Sequence, residues 1–304
     1  MIGKVEHSLL VSKRLNRFEY FAPTTLPDAL SLFERHGGEA VFLAGGTDVL
    51  PMMKFRALVP GFVISLKRIP DLNYIREDAY GLHIGALATI DEINNNGLIK
   101  QSALALHESS NVFAAPQVRN MATIGGNICR SSPAADTVPV LMALDAEVRL
   151  NGINKERRML LVDFYKGGKK NALNKEILTE ITIPTPKGSW GAAFMKLERN
   201  TSDLSKVNGA VRISMRGKYC EDIRIVLGAV ADRVIRLPDA EDIARGKILD
   251  GQLIEEVARV AVKDITPITD ARSTAAYRKN VSTVVVRRLI AEAIARSHAH
   301  PDAR

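Results

Sequence analysis

The sequence is poor in cysteine, in aromatics and in long apolar runs, and each shortage removes a class of protein. Two cysteines in 304 residues, Cys129 and Cys220, give neither a disulfide framework nor a metal-ligand pair at useful spacing. No run of roughly 18 consecutive apolar residues occurs, so no transmembrane helix is predicted. Near the start only Leu9-Leu10-Val11 is apolar before Lys13, Arg14 and Arg17, and no small-residue cleavage site follows. The protein therefore reads as cytoplasmic, with residues 1–17 a loosely attached leader, a strand or arm whose contact with a partner the sequence leaves open. Aromatics make up only 5%, and no Lys/Arg run is long enough for a nucleic-acid arm. The net charge of +8 then points to solubility, an acidic protein partner or an anionic ligand rather than to nucleic acid.

What is present suits a globular protein of two or three units, 46% hydrophobic. Thr25 and Asp28 open a helix that His36-Gly37-Gly38 closes, and the apolar run at 40–43 follows as a strand. Residues 61–66 and 82–86 read as strands, Thr89 to Glu92 as a capping box, and Leu98 to about Ser110 as one helix. Thr137 to Leu144 fits a short helix, and residues 147–150 and 161–162 resemble strands around a turn at Asn151-Gly152. From Ile177 to Pro184 the chain alternates, placing Leu178 with Glu180 and Thr182 on the polar face. Pro184, Pro186 and Gly188 mark a domain boundary. Beyond it a hairpin around Gly217 and helices over 253–263 and 274–296 make an α+β unit, and the final SHAHPDAR reads as frayed.

Two stretches stand out because they are made of poor core material. AGGTD (44–48) ends an apolar strand, and Phe113 to Asp136 carries Gly125-Gly126, a run of small residues and Asn127. Paired glycines after a strand suit anion cradling, since no Cβ holds the backbone away from a diphosphate and positive φ is open to them. Neither stretch is the dinucleotide fingerprint, because no G-x-G-x-x-G opens a crossover helix.

RNMATIGGNI (119–128), SPAAD (132–136), AGGTD (44–48) and ILTEITIP (177–184) together closely resemble the FAD-binding medium subunit of the molybdenum hydroxylases, the xanthine and carbon monoxide dehydrogenase type. The likeness runs from Phe18 to about Ala295 and takes in Lys196, Arg199 and Asp203, residues 228–231, and the late set Asp270, Arg272, Tyr277 and Arg278. It implies an α+β fold: an FAD-binding domain of the vanillyl-alcohol-oxidase-like (PCMH) type over 18–186, in a small part (about 18–60) and a larger one (about 61–186). A C-terminal α+β domain with an antiparallel sheet follows over 187–304.

The same resemblance implies a first FAD loop of Ala44, Gly45, Gly46, Thr47 and Asp48 and a second of Thr123, Ile124, Gly125, Gly126 and Asn127, with the diphosphate between them. Phe113 matches an apolar cofactor contact, Asp136 an acidic residue bonded to the adenosine half, Leu178 a residue covered by flavin or adenine, and Lys196 a further contact. Alternative roles exist for Asp136 as a helix cap, for Phe113 as plain core, and for the late set Asp270, Arg272, Tyr277 and Arg278 as a staple for the last helix. The implied function is electron relay. A large molybdenum-cofactor subunit and a small subunit with [2Fe–2S] clusters, arranged as a dimer of heterotrimers, would feed FAD here, which discharges to an external acceptor. With two cysteines, the chain lacks the four that an extra cluster of its own would need. No catalytic acid–base residue and no metal are expected on this chain, and no membrane span. The competing readings are a stand-alone FAD oxidoreductase of the enolpyruvyl-sugar reductase type and a basic binding protein without cofactor.

Overall fold

The computed structural model describes residues 14–299, so most of the arm read over 1–17 lies outside the described residues. Two compact units divide after Pro70. In the first, β1 (Glu19–Phe21) leads to α1 (Leu26–His36), whose Thr25 cap accepts from the Asp28 N–H, and Gly37 at φ 53° ends the helix. β2 (Ala40–Leu43), α2 (Val49–Lys54) and β3 (Phe62–Ser65) follow. The sheet has the order β1-β3-β2 and is all parallel. Strand β3 therefore completes the first unit, whereas the sequence reading set residues 61–66 in the larger part.

The second unit begins with β4 (Ile75–Asp78), β5 (Gly81–Gly85) and α3 (Ile90–Asn95), the last opened by a complete Thr89/Glu92 capping box. Next come α4 (Gly97–Ser102) and α5 (Leu104–Asn111), two helices where one was expected. They break at the buried Ala103, whose ψ of 55° is incompatible with an α-helix. Helices α6 (Pro116–Arg119), α7 (Ile124–Arg130) and α8 (Thr137–Ala143) lead to strands β6 (Glu147–Gly152) and β7 (Lys155–Leu160). The hairpin partner of β6 is thus the charged KERRML run and not residues 161–162, which form a helical turn, α9 (Leu161–Phe164). A solvent-facing edge strand keeps its charges and so shows no apolar alternation.

The hairpin β8 (Tyr165–Gly167) and β9 (Lys170–Asn171) precedes β10 (Ile177–Pro184), the centre of the sheet β4-β5-β10-β6-β7. A register shift between Leu178 and Glu180 breaks the expected alternation. Leu178 accordingly joins Ile181 and Ile183 in the core while Glu180 stays on the other face with His83 and Arg149.

The C-terminal part is an antiparallel sheet of β11 (Ser189–Leu197), β12 (Val207–Arg216), β13 (Tyr219–Gly228) and β14 (Ile235–Arg236). Against it pack α10 (Pro238–Ala244), α11 (Gly251–Ala261) and α12 (Ala275–Ala299), burying Val211, Ile225, Leu289 and Ile290. Helix α12 continues past the point read as frayed: Ser297 is fully buried and its carbonyl accepts from Ser189 Oγ at 2.6 Å. No helix among the described residues is long and apolar enough to cross a membrane.

Candidate functional site

The second glycine stretch is the start of α7. Thr123 is extended and caps the helix, its hydroxyl accepting from the Gly126 N–H at 3.1 Å. The Ile124 N–H donates to the Ala88 carbonyl (3.0 Å), that of Gly125 to Ala86 (2.9 Å) and that of Asn127 to Thr123 (2.9 Å). Of the five residues expected in this loop, the N–H groups of four, Ile124 to Asn127, therefore have acceptors inside the protein. The two glycines do different work. A Cβ on Gly125 would lie 2.7 Å from both the Cβ and the carbonyl oxygen of Ala86, so this residue is glycine because α7 packs directly on the turn after β5. A Cβ on Gly126 would meet only Thr123 Oγ1, at 2.9 Å, and its other side is open. Asn127 Oδ1 accepts from Thr137 Oγ1 at 2.7 Å and ties α7 to α8. Desolvation pushes the Cys129 thiol up to about 12, which leaves it protonated and inert at neutral pH.

In the first unit, Ala44 to Asp48 leave the end of β2, and Gly46 takes φ 80° before its carbonyl accepts from the Leu50 N–H. Among the described residues of this unit the N–H groups of Gly45, Gly46 and Thr47 meet no acceptor. Successive unengaged N–H groups around a left-handed residue form an anion-binding concavity.

Asp136 stands at the N-cap of α8 yet makes no capping bond. Its Oδ1 accepts from Ser205 Oγ (2.6 Å) and Asn208 Nδ2 (2.8 Å), and its Oδ2 from Lys196 Nζ (2.9 Å). Asp136 and the Lys196 side chain are 5% and 3% exposed, so the pair lies in the interior, joining α8 to β11 and β12. Burial pushes the Asp136 carboxyl upward, while Lys196 and its two other donors favour the carboxylate. Lys196 also donates to the Val112 carbonyl at 3.0 Å, immediately before Phe113, and pairs with Glu198 at 3.0 Å.

Phe113 is partly buried against the core, and Ala114 after it holds φ 41°. The Arg119 guanidinium stabilises that bend by donating to the carbonyls of Phe113 (3.1 Å) and Ala114 (3.0 Å). The structure thus brings Asp136, Lys196 and the Phe113 bend together. Leu178 packs in the core cluster and is 4% exposed. Arg119, Ser205 and Asn208 escaped the sequence reading; for the last two no local signal exists, since their partner lies about 70 residues away in the chain.

The late signature acts as a staple. Arg278 donates to the Ala229 carbonyl (2.8 Å) and to Asp270 (2.7 Å), and Arg272 pairs with Asp270 at 2.6 Å. Burial opposes ionisation of Asp270, but the hydrogen bonds from Arg272 and the Ser273 N–H, with the Arg278 charge, together outweigh it and hold the carboxyl well below its ordinary range. Ala229, at φ 61°, donates in turn to the Pro133 carbonyl at 2.6 Å, three residues before Asp136. Tyr277 lies half exposed beside Lys206, and Arg199 and Asp203 form an outer pair at 3.5 Å. Among the described residues no group of three His, Cys, Asp or Glu side chains is placed to hold a metal.

Residues 16–186 match the model of the FAD binding domain in molybdopterin dehydrogenase, and residues 192–293 that of the CO dehydrogenase flavoprotein C-terminal domain. The glyceraldehyde dehydrogenase medium chain of Sulfolobus acidocaldarius is 32% identical over 90% of this chain and 98% of its own length. The carbon monoxide dehydrogenase medium chain of Afipia carboxidovorans is 32% identical over 92% and 98%. Among solved structures, carbon monoxide dehydrogenase from Hydrogenophaga pseudoflava superposes with a TM-score of 0.90 at 33% identity, over 93% of this chain and 99% of that one.

Proposed function

The chain belongs to the FAD-binding medium subunits of molybdenum hydroxylase-type complexes, an oxidoreductase component, and on that premise we propose that it is their electron relay, taking electrons from [2Fe–2S] clusters of a small partner subunit and passing them to an external acceptor. The large partner carries the molybdenum cofactor, and the assembly is a cytoplasmic dimer of heterotrimers. FAD supplies the redox chemistry; this chain binds it, orients it and sets its electrostatic surroundings.

The residues proposed to hold FAD are Ala44, Gly45, Gly46, Thr47 and Asp48, then Phe113, Thr123, Ile124, Gly125, Gly126, Asn127, Asp136, Leu178 and Lys196. Their roles divide by what each has to offer. The N–H groups of Gly45, Gly46 and Thr47 are the donors for the diphosphate. Gly126 offers a bare Cα surface to a flat ligand, and this open face, beside a Gly125 closed by packing, is the observation that carries the reading. Asp136 and Lys196 act through the frame they build around Val112 and Phe113, with Lys196 holding the bend from beneath. No residue is assigned a proton-transfer role.

The test is to purify the native assembly and measure flavin, iron, molybdenum and subunit identity together. Stoichiometric FAD on this chain, with iron and molybdenum on two co-purifying chains, is the expected result. Turnover of an organic substrate by the isolated chain loaded with FAD would instead make it a stand-alone flavoenzyme.

A further inference from the structure

The net charge of +8 is not spread evenly. Between residues 166 and 175, KGGKKNALNK, stand four lysines and no acidic residue, and Lys166, Lys169, Lys170 and Lys175 are all exposed. Among the described residues none of the four forms an ion pair, although Arg157 and Lys155 beside them pair with the buried Glu176. Like charges this close repel one another, and an unpaired set of this size is the footprint of a field acting outward.

The backbone beneath them is held firmly. Gly167, Gly168 and Lys169 take φ 84°, 57° and 62° in succession at the tip of the β8–β9 hairpin, and the Gly168 N–H donates to Asp232 Oδ2 at 2.9 Å. At its base the hairpin is bonded to the far end of the glycine helix: Tyr165 Oη donates to the Ile128 carbonyl (3.1 Å), and Asn171 Nδ2 to the Cys129 carbonyl (2.9 Å) and Ser131 Oγ (3.1 Å). Cys129 is three residues from Gly126, a rise of about 5 Å along α7. The lysines are thereby fixed to the same short helix that presents the bare Gly126 surface.

We propose that this lysine hairpin is the docking surface for an acidic protein electron acceptor that binds transiently. The inference rests on the reading that α7 lies against FAD. A permanent subunit interface is largely apolar and poor in lysine, whereas brief redox encounters are small and steered by complementary charge. Two acceptor molecules, each taking one electron, clear the two electrons held on the reduced cofactor, and two protons pass to water.

The experiment uses the intact complex and two soluble haem proteins as probes, the acidic cytochrome b5 and the basic cytochrome c, with neutral menadione as the small acceptor. Substituting the four lysines by glutamine should lower kcat/KM for cytochrome b5 about tenfold or more at low ionic strength and flatten its dependence on salt. Rates with menadione and cytochrome c should not fall, and Lys→Arg at the same positions should preserve the cytochrome b5 rate. Equal cytochrome b5 rates and salt responses in wild type and glutamine variant overturn the proposal. Binding of oxidised cytochrome b5, followed by calorimetry, separates the two readings. Charge-dependent binding to a wild type that lacks flavin sinks the flavin assignment and keeps the surface, while a flavin-replete wild type that does not bind cytochrome b5 sinks the surface alone.

Discussion

The two Gly-Gly stretches look alike as sequence and behave differently as structure. In the first, at 45–46, the strand simply ends; Gly46 turns left-handed, and among the described residues of its unit the N–H groups of Gly45, Gly46 and Thr47 stay unengaged. In the second, at 125–126, a helix begins at once and every N–H from Ile124 to Asn127 has a protein acceptor. One stretch offers donors and the other offers the absence of side chains. On the proposed reading the same dipeptide serves hydrogen bonding in one place and close approach in the other, and the comparison can be broken at four points.

The largest effect is expected at the anchor beyond the second stretch. Asp136→Ala leaves the buried Lys196 with Glu198 as its one remaining carboxylate and strips the Ser205 and Asn208 donors of their acceptor, and should destabilise the protein by about 3 kcal/mol in urea titration, since breaking a buried pair is expensive. Adding Lys196→Met should recover much of that loss, because the two positions act as one unit. A single-variant loss below about 1 kcal/mol would return Asp136 to a role at the ligand rather than in the frame.

Next in size is Gly125→Ala. Its new Cβ would press on the backbone oxygen of Ala86, which no side-chain rotation relieves, so a loss of about 2–3 kcal/mol is expected, with flavin lost as a consequence of the fold loosening. Normal thermal stability in this variant would mean that α7 does not depend on close packing against the β5 turn.

The division between readable and unreadable features follows the range of the forces involved. Thr25, Thr89 and the hairpin at Gly217 were legible because a cap or a turn is settled within a few residues. The charged strand β7 was hidden because its face is solvated, and the bulge in β10 because a register shift leaves no trace in alternation alone. At the site, the glycines were legible as a pattern, but which glycine faces packing and which faces open space is fixed by Ala86, some 40 residues away. The frame around Asp136 depends on Lys196, Ser205 and Asn208 from the other domain, and only the lysine had a motif to mark it.

Gly46→Ala tests the first stretch by itself. An alanine at φ 80° costs about 1–2 kcal/mol of strain, and its Cβ would touch Leu43 and Leu50 at 3.3 and 3.2 Å, contacts that two flexible side chains can yield to. The chain should fold with this modest loss, and FAD affinity should fall with it as the turn that aims the donors relaxes. Isothermal titration with FAD reads the affinity; unchanged binding would show that these donors are not engaged by the diphosphate.

The smallest effect on stability and the sharpest on the ligand should coincide at Gly126. Alanine there meets only Thr123 Oγ1, and the better helix propensity of alanine, worth up to about 1 kcal/mol, offsets the crowding, so stability should change by less than about 1 kcal/mol. Yet the added methyl stands on the open surface where the cofactor is proposed to lie, and the purified variant should lose its flavin absorbance. If Gly126→Ala were to unfold as readily as Gly125→Ala, the two glycines would share one packing role and the contrast between the stretches would collapse. If it kept both stability and full flavin, the open face would belong to solvent, and the cofactor would have to be held without it.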